Sequence, residues 1–361
     1  MKVGIITQPL SRNYGGILQN YALQKVLIKV GHIPYTFDLG KLLWYDWFIY
    51  NLKVIIKKVL GRPAVFKMTP IEKYLKERPL RKFVDKNITL IKPRAVRPSL
   101  NKIKEYGIDA IIVGSDQVWR PCYNHNIYDM YLGFAENIEV KKIAYAASFG
   151  THECEYTPEQ IDICKRLVQK FKAVSVREYS AVEICEKKFD VDATHVLDPT
   201  LLLTVDDYNS LLNDIPISTE KYLFAYILDI TDSKVEFLNK LACEKKLSII
   251  IKGADSDLLP DDSVEKWLAY FRDASYVVTD SFHGTIFSIV YNKDFFVIGN
   301  KKRGFDRFSS LLNLFNLNNR ILNENNLYIG INTNFVDWSD VNKRLGLLRE
   351  KSMQFLEKSI N

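Results

Sequence analysis

Short apolar runs recur along this chain, and most of them stop abruptly at small or polar residues. Residues 109–113 form one such run, which lacks the polar and apolar alternation that a half-exposed strand would show. Uninterrupted apolar strands are typical of parallel sheets that helices cover on both faces. Because helical patterns separate the runs, the sequence predicts a doubly wound α/β fold.

The predicted elements form two groups with a boundary near residue 200. Strands are predicted at residues 2–7, 109–113, 142–147, 173–176, 221–227, 248–251, 276–279 and 295–298, and helices at residues 17–30, 180–188, 233–245, 263–273 and 286–291. We therefore expect two Rossmann-like domains, residues 1–200 and 201–335, that face a central cleft at their strand ends. A C-terminal helix within residues 336–361 would pack back on the first domain.

Composition and charge narrow the class of protein and partner. The chain has 361 residues, 47% of them hydrophobic and 26% charged, as in soluble globular proteins. Its net charge of +7 suits an anionic small substrate or an anionic membrane surface. The chain has no basic run interleaved with aromatic residues, the pattern that indicates RNA binding. Nucleic acid is therefore not expected as a partner.

The cysteines and histidines give no sign of a disulfide framework or a metal site. Five cysteines lack any C-x-x-C pair, which favours a reducing cytosol. His125, His152 and His195 have no partner at metal-ligand spacing. Residues 1–6 read as a strand and not as a signal peptide, and no apolar stretch predicts a membrane-spanning helix. A cytoplasmic protein without a metal is expected.

Residues 41–80 interrupt the alternation of strands and helices as an insertion in the first domain. Five large apolar residues recur there at helical spacing and would share one face of a helix over residues 44–60: Trp44, Phe48, Leu52, Ile55 and Val59. Such a stripe with lysines beside it is typical of peripheral membrane contact. A helix that packs its stripe on the first domain fits the same pattern, and the sequence leaves both interpretations open.

The run at residues 277–285 places a histidine between a buried strand and a predicted helix. Unpaired amide groups at a helix N-terminus attract anions, so Gly284 and Thr285 are candidates for an anion cradle beside His283. A histidine there could act as an acid or base on a phosphorylated substrate. Asp280 and Ser281 are also good helix caps that could precede a core histidine, and capping and function can coexist.

Two loops of the first domain also carry polar residues at strand ends. Gly15 and Gly16 would let a ligand approach the backbone, and Asn20 follows on the next helix. Further along, Asp116 could act as a base and Trp119 could stack on a sugar ring. The alternatives are that Asp116 caps a turn and that Trp119 fills a domain interface.

Basic residues after two other strands could bind an anion. Arg177 lies between a strand and a helix, where an arginine can hold phosphate or carboxylate through two hydrogen bonds. Pairing with Glu178 or another acid would explain it equally well. Residues 301–307 hold four cations, including Arg303 and Arg307. A solvated loop is the commoner fate of such a run, but the position after a strand favours the cleft.

Taken together, these segments resemble the polysaccharide pyruvyltransferase family. The matching pieces lie in order along roughly residues 1–320, at 13–16, 19–23, 114–119, 175–180, 198–200 and 279–285. The resemblance implies two Rossmann-like domains arranged as in GT-B glycosyltransferases, with the acceptor on the first and the donor on the second. It implies phosphoenolpyruvate as donor, no cofactor, and a pyruvate ketal formed on a sugar of a capsular or extracellular polysaccharide precursor. A lipid-linked acceptor would bring the protein to the inner face of the membrane.

The resemblance maps the family's histidine onto His283 and its donor-binding arginine onto Arg177. Many relatives carry an arginine two residues before the histidine, where this chain has Ser281, so Arg303 and Arg307 are further candidates for donor contacts. By hypothesis, His283 protonates the methylene carbon, Asp116 accepts the proton of a sugar hydroxyl, and the arginines stabilise the phosphate. The remaining expected contacts are donor contacts from Ser281, Gly284 and Thr285, and acceptor contacts from Asn13, Gly15, Gly16, Asn20, Ser115, Gln117 and Trp119.

Two other functions fit the predicted fold. A glycosyltransferase that uses a nucleotide sugar would be expected to carry a glutamate for the ribose near the anion loop, and no glutamate occurs between Glu265 and Glu324. A non-catalytic sugar- or anion-binding protein would keep the cleft without turnover. Phosphate release from phosphoenolpyruvate that depends on a sugar acceptor would separate these alternatives.

Overall fold

The computed structural model describes residues 1–361 apart from 42, 67, 125, 254–261, 300–304 and 329–333. Its strands form two separate sheets, and the pairs between neighbouring strands are parallel in both. Parallel sheets are covered by helices on both faces, which explains why the sequence shows apolar runs instead of alternation.

The first sheet is built from the N-terminal half of the chain, in the order β3-β2-β1-β4-β5-β6-β7. Its strands are β1 (Lys2–Ile6), β2 (Ile33–Leu39), β3 (Leu90–Ala95), β4 (Ala110–Val113), β5 (Lys141–Ala147), β6 (Ala173–Val176) and β7 (Thr194–His195). The helices of this half are α1 (Tyr14–Lys29), α2 (Trp44–Val59), α3 (Pro70–Asn87), α4 (Leu100–Tyr106), α5 (Pro158–Val168) and α6 (Tyr179–Ile184), with α7 (Val205–Asn209) after the crossover.

The second sheet has the order β12-β11-β10-β8-β9. Its strands are β8 (Tyr222–Tyr226), β9 (Ser248–Lys252), β10 (Tyr276–Thr279), β11 (Phe295–Gly299) and β12 (Ile321–Asn323). The helices are α8 (Asp232–Lys245), α9 (Val264–Asp273), α10 (Phe282–Val290), α11 (Phe305–Leu314) and the C-terminal α12 (Trp338–Ile360).

In both sheets the strand order reverses beside the first strand of the sheet. The reversal falls between β1 and β4 in the first sheet and between β8 and β10 in the second. Loops that leave the carboxyl ends of strands on either side of such a reversal form a crevice in which ligands bind. The predicted fold class, two Rossmann-like units in a GT-B-like arrangement, is confirmed, and the loops after β1, β4 and β10 lead to this crevice.

Four strands were not predicted from the sequence: β2, β3, β7 and β12. Three of them, β3, β7 and β12, lie at sheet edges, where a strand has one partner and tolerates proline and charge. The edge strand β3 contains Pro93, and β7 has two residues. Their patterns therefore lack the apolar runs by which the inner strands were recognised.

The C-terminal helix α12 crosses back to the first sheet. Ser352 Oγ accepts a hydrogen bond from the backbone N–H of Leu197 at 3.0 Å, and Arg349 Nε donates to the carbonyl of Leu201 at 2.9 Å. Near the end of the helix, Lys141 Nζ of β5 donates to the carbonyl of Ile360 at 2.7 Å. One hydrophobic cluster runs continuously from β1 and α1 through the crossover to α10, so the two halves share a core.

The insertion forms a helix where the sequence predicts one, but its apolar stripe faces outward. In α2 only Asn51 and Val54 are buried, whereas Trp44, Phe48 and Ile55 are exposed. The helix does lie on the protein, as one of the two interpretations expects, but it does so through Asn51 and Val54 and not through the stripe. Within the described part of the chain, no helix has both the length and the apolar character that a bilayer crossing requires.

Candidate active site

The N-termini of α1 and α10 meet across the crevice, one from each half of the molecule. The imidazole of His283 lies so close to Gly15 that a Cβ on this glycine would stand 2.0 Å from Nδ1. Only glycine therefore fits at position 15. The sequence analysis assigned this close approach to a ligand, and the structure corrects it, because the His283 ring occupies the space beside Gly15.

The turn between β10 and α10 is held by its own hydroxyl groups. Ser281 is the N-cap, and its side chain accepts a hydrogen bond from the N–H of Gly284 at 3.4 Å. Thr279 Oγ1 donates to the carbonyl of Tyr226 at 2.7 Å, and it would clash with any Cβ on Gly284. The helix begins at Phe282 rather than at the predicted residue 286, because Ser281 caps it. His283 thus lies in the first turn, where the helix dipole is positive.

Asp280 does not cap the helix. Its carboxylate accepts hydrogen bonds from the N–H groups of Leu228 at 2.6 Å and Asp229 at 3.2 Å, and it forms a buried ion pair with Lys234 at 3.0 Å. The capping role proposed for Asp280 is wrong for this reason. Its actual contacts fasten the end of β10 to the loop after β8.

Thr285 is also occupied inside the protein. Its side chain is fully buried, and Oγ1 donates to the carbonyl of Ser281 at 3.0 Å. The predicted donor contact from the Thr285 side chain is corrected, because the hydroxyl faces the preceding turn. Ser281 and Gly284 stay next to His283, and both are engaged in the helix cap.

Asp198 links the functional residues of the two halves. Its Oδ2 accepts hydrogen bonds from Arg177 Nη1 at 2.8 Å and Ser115 Oγ at 3.1 Å, and lies 3.7 Å from Nε2 of His283. Its Oδ1 accepts from the N–H of Thr200 at 3.0 Å and from its hydroxyl at 2.6 Å. One carboxylate on the crossover therefore contacts both the arginine and the histidine that the sequence analysis selected.

The charges around Asp198 keep it ionised. Burial would raise the pKa of Asp198, but His283, Arg177 and Thr200 together hold it well below its usual range. Nε2 of His283 is buried and makes no hydrogen bond to any residue that the structure describes. It therefore has capacity for a hydrogen bond or a proton transfer within the crevice.

Two buried arginines lie over the ring of Phe282. The guanidinium carbon of Arg177 is 4.3 Å from the ring centroid, and that of Arg307 is 5.5 Å away. Arg177 Nη2 lies 3.7 Å from Asp116 Oδ1 and, among the described residues, donates no hydrogen bond. The two guanidinium groups thus share one aromatic ring, with the carboxylates of Asp116, Glu178 and Asp198 around Arg177.

The two arginines differ in how well their charges are balanced. Burial would lower the pKa of Arg177, but Glu178, Asp198 and Asp116 outweigh it and raise the pKa above its usual value. Burial, together with the charge of Arg177, lowers the pKa of Arg307 to about 10. Arg307 is still a cation at neutral pH, so it can contribute to the binding of an anion.

Asp116 lies on the same side of the crevice as Arg177. Its backbone has a positive φ of 71°, a conformation that aspartate tolerates better than most residues. Its Oδ1 accepts from the N–H of Gln117 at 2.8 Å, and its Oδ2 accepts from Asn13 Nδ2 at 3.4 Å. Asp116 therefore caps its own turn, which was one of the two alternatives, and its role as a base stays a prediction.

The structure corrects several of the expected acceptor contacts. Trp119 is 1% exposed, donates from Nε1 to the carbonyl of Met130 at 3.0 Å, and stacks on Tyr131. Its ring has no face left for a sugar. Ser115 and Asn20 are also fully buried, and Asn20 accepts from Thr36 Oγ1 at 2.9 Å.

Other predicted acceptor residues lie closer to the surface. Asn13 is exposed and Gln117 is half-buried. The side chain of Gln117 accepts a hydrogen bond from Arg120 Nη1 at 3.3 Å. Gly16 lies between Asn13 and Asp116: a Cβ on it would stand 3.2 Å from Asn13 Nδ2 and 3.4 Å from Asp116 Oδ2.

The remaining candidates fall into separate groups. Arg303 lies outside the described residues, as does His125. His195 supports Arg177 from behind, with Nε2 3.0 Å from its carbonyl oxygen. His152 is exposed and pairs with Asp306 of the other half. No cluster of three metal-binding side chains occurs in the part of the chain that the structure describes.

The structure adds three residues to the predicted site: Asp198, Glu178 and Phe282. Glu178 is buried, and it accepts hydrogen bonds from Ser148 Oγ and from Arg177 Nε, the latter at 3.4 Å. Asp198 did stand in a segment that matches the family, so a signal was present. Its contact with His283 spans 85 positions of sequence and could not be read from local pattern.

Comparison with known proteins was made at three levels. No curated protein sequence matches the chain at a significant level. Among solved structures, similarity extends to UDP-GlcNAc 2-epimerase from Methanocaldococcus jannaschii, with 11% identity over 97% of this chain and 100% of that one at a TM-score of 0.47. S. aureus MnaA bound to UDP has 10% identity over 100% and 91% of the chains at 0.49, and Acinetobacter baumannii MurG has 10% over 99% and 94% at 0.39.

Structural similarity at such low sequence identity does not identify a substrate. The family model described as polysaccharide pyruvyl transferase matches residues 13–302. The matched range begins at Asn13, ahead of Gly15, and takes in Asp116, Arg177, Asp198 and His283. It therefore spans both halves and the crevice between them. The chain belongs to the polysaccharide pyruvyl transferase family.

Proposed function

We propose that this transferase uses phosphoenolpyruvate as donor and places its pyruvate unit on a sugar as a cyclic ketal. The observation that carries the proposal is the arrangement of His283, Asp198 and Arg177 at the meeting point of the two halves. It puts a histidine, an ionised carboxylate and a buried guanidinium within one small site. Such a combination suits proton transfer to an anionic substrate.

The donor carries two anionic groups, a carboxylate and a phosphate. Arg177 and Arg307 lie over one ring, that of Phe282, and the N-terminus of α10 is next to them. A helix N-terminus and guanidinium groups both favour anions. We assign the donor to this location, with Arg177 and Arg307 as its cationic contacts.

In the proposed reaction His283 is the general acid. It delivers a proton to the methylene carbon of phosphoenolpyruvate, and the adjacent C2 becomes electrophilic. The ionised Asp198, 3.7 Å from Nε2, stabilises the positive charge that the imidazole carries in its acid form. Asp198 touches no substrate in this scheme and acts as a positioning residue for both His283 and Arg177.

The acceptor supplies two hydroxyl groups of one sugar. The first attacks C2 and gives up its proton to Asp116, which lies beside Arg177 and Asn13. Phosphate then leaves as the C2–O bond to it breaks. The second hydroxyl attacks C2 and loses its proton to His283, which closes the ketal and restores the acid form of the imidazole, while the proton held by Asp116 passes to the departing phosphate. The reaction converts one phosphoenolpyruvate and one diol into one ketal and one inorganic phosphate.

For the acceptor we propose a lipid-linked precursor of a capsular or extracellular polysaccharide at the cytoplasmic face of the membrane. The exposed apolar surface of α2 supports this setting, since it would bring the crevice near membrane-bound sugars. The family description supports a polysaccharide as the eventual product.

The proposal is tested in two steps. Calorimetry should detect phosphoenolpyruvate binding to the wild-type protein and weaker binding to Arg307→Gln. Phosphate release should then require both phosphoenolpyruvate and a sugar, probed with a panel of p-nitrophenyl glycosides. Absence of phosphoenolpyruvate binding would refute the proposed donor.

The same assays separate the other two functions. A glycosyltransferase would consume a UDP-sugar in the presence of the glycosides and leave phosphoenolpyruvate untouched. A binding protein would bind the donor or the sugar and consume neither. We favour pyruvyl transfer because two buried arginines, Arg177 and Arg307, lie together with His283.

A further inference from the structure

Helix α2 presents a broad apolar surface that no described part of the protein covers. Six of its large side chains are about half exposed or more: Trp44 54%, Tyr45 71%, Phe48 60%, Leu52 47%, Ile55 48% and Val59 81%. With about 100° of rotation per residue, these six positions fall within an arc about 100° wide. We call this surface the α2 face.

The α2 face is distinct from the side on which the helix rests. Asn51 and Val54 are the buried residues of α2, and at helical spacing they project to one side of the arc. The helix is therefore already seated on the protein by its other side. Exposure of the α2 face follows from its orientation and not from a loosely placed helix.

The chain after α2 extends the same surface. Val65 is 80% exposed and Phe66 is 51% exposed. Phe66 closes an apolar groove of about 330 Å³ against Trp47, Phe48, Leu52 and Ile55. A contiguous apolar surface of this kind marks an interaction site more often than a chance exposure.

Charge points to the nature of the partner. Residues 41–66 hold five cations, Lys41, Lys53, Lys57, Lys58 and Arg62, and a single acid, Asp46. All five cations are exposed. Lys58 lies near one edge of the arc, whereas Lys53 and Lys57, one turn apart, lie on the opposite side of the helix. The segment therefore combines an apolar arc with a net positive charge.

We propose that the α2 face docks the protein on a bilayer surface that contains anionic phospholipid. Aromatic residues at the N-terminal end of α2 and the apolar arc would enter the boundary between headgroups and acyl chains, while the lysines contact lipid phosphates. A second copy of the chain fits less well, because it would bring a second set of the same cations to one interface. This inference does not rest on the proposed reaction.

Vesicle cosedimentation tests the proposal directly. Wild-type protein should pellet with vesicles of phosphatidylcholine and phosphatidylglycerol, and less with pure phosphatidylcholine or at high salt. The triple variant Phe48→Ser, Ile55→Ser, Val59→Ser should bind at least about tenfold more weakly, since three large side chains lose their apolar contact. The double variant Lys53→Gln, Lys57→Gln should lose about tenfold on the anionic vesicles only.

Matched controls come from exposed residues elsewhere. Ile217 is 74% exposed and lies outside α2, so Ile217→Ser should leave vesicle binding unchanged. Lys188→Gln serves in the same way for the charge change, because Lys188 is exposed and lies outside residues 41–66. Phosphoenolpyruvate affinity measured without vesicles should be equal in all these variants, which keeps this test separate from the proposed chemistry.

Three outcomes would overturn the proposal. The wild type would fail to pellet with the anionic vesicles, or the triple serine variant would bind them as well as the wild type does. Light scattering could instead find a dimer that the triple variant dissociates, without any vesicle binding. In that last case the α2 face is an interface between copies of this chain.

Discussion

The crevice buries charged residues, whereas the α2 face exposes apolar ones. In the crevice, Arg177, Asp198 and His283 are charged or ionisable and are buried, whereas in α2 Phe48 and Ile55 are apolar and exposed. Buried charges require partners, and large apolar surfaces require cover. Most charged groups in the crevice are paired with other residues of this chain, whereas the α2 face is not covered by any part of the chain that the structure describes. The difference separates a site for a small anion from a site for an extended surface.

The largest expected effect lies in the crevice. His283→Ala should lower kcat by a factor of about 10² to 10⁴, the usual contribution of a general acid. The fold should survive, so the circular dichroism spectrum and the thermal midpoint should stay close to those of the wild type. Near-normal turnover would remove His283 from the chemistry. The crevice would then be a binding site only.

The two arginines should differ sharply in their effect on stability. Arg177→Gln leaves Asp198 and Glu178 as buried, uncompensated charges, so we expect a loss of about 3–5 kcal/mol in the free energy of unfolding. Arg307→Gln should cost much less, because folding already lowers the pKa of Arg307 to about 10. Urea unfolding of both variants measures this.

Arg307→Gln should instead raise the KM for phosphoenolpyruvate. A guanidinium that binds the phosphate or carboxylate of the donor makes charge-assisted hydrogen bonds that glutamine cannot replace. Equal stability losses in the two arginine variants, with an unchanged KM for Arg307→Gln, would contradict the different roles.

Gly15→Ala should disturb the chemistry through packing alone. A Cβ at this position would stand 2.0 Å from Nδ1 of His283, so the imidazole must move. A displacement of about 1 Å can cost about 10²-fold in rate, and kcat should fall by that order. Gly346→Ala is the control: nothing lies within 4 Å of a Cβ there, and the exposed helical position should gain up to about 1 kcal/mol.

The two sides of α2 should respond differently to the same change. Val54 is 3% exposed, and Val54→Ala should lower the free energy of unfolding by about 2 kcal/mol. Its neighbour Ile55 is on the α2 face, and Ile55→Ala should stay within about 0.5 kcal/mol of the wild type. Chemical denaturation gives both values. A large loss for Ile55→Ala would mean that the α2 face is covered in the isolated protein.

A further effect concerns acid stability. The pKa of Asp198 is lowered in the folded protein, so its stabilising contribution is present above the unfolded value of about 3.9 and is lost as the pH falls below it. For one proton the slope is about 1.4 kcal/mol per pH unit. Asp198→Asn should remove that component, and its free energy of unfolding should change less between pH 5 and pH 2.

The pH profile of turnover gives a second measure for Asp198. If Asp198 positions His283, Asp198→Asn should shift the pH dependence of kcat and leave the affinity for the sugar unchanged. A purely structural role would lower stability without moving the profile.

The sequence predicted most of what depends on local pattern. Most inner strands were recognised because burial on both faces leaves an uninterrupted apolar run, as in β4, although the inner strand β2 was missed. The edge strands β3 and β7 were missed because an edge strand tolerates a proline such as Pro93 and can be as short as two residues. The sequence predicts the start of α10 at residue 286, four residues late. The residue types at Phe282 and His283 do not indicate whether these residues precede or follow the helix cap. The fold class was predictable because many such elements agree.

The site was less predictable, because its contacts join distant segments. Trp119 was expected to face a sugar, but Met130 and Tyr131 enclose it. An aromatic residue after a strand looks the same in both settings. The α2 stripe likewise predicted a helix with one apolar face without revealing the direction of that face. Only the position of Asn51 and Val54 against the protein decided it.

The contact between Gly15 and His283 makes the two halves of the molecule depend on each other. A recombinant protein that joined the N-terminal half of one family member to the C-terminal half of another would assemble its crevice only if glycine were retained at position 15. Any larger residue there would displace the incoming imidazole, however well each half folded by itself. In a protein that takes one half from this chain, the glycine and the histidine therefore have to be kept together.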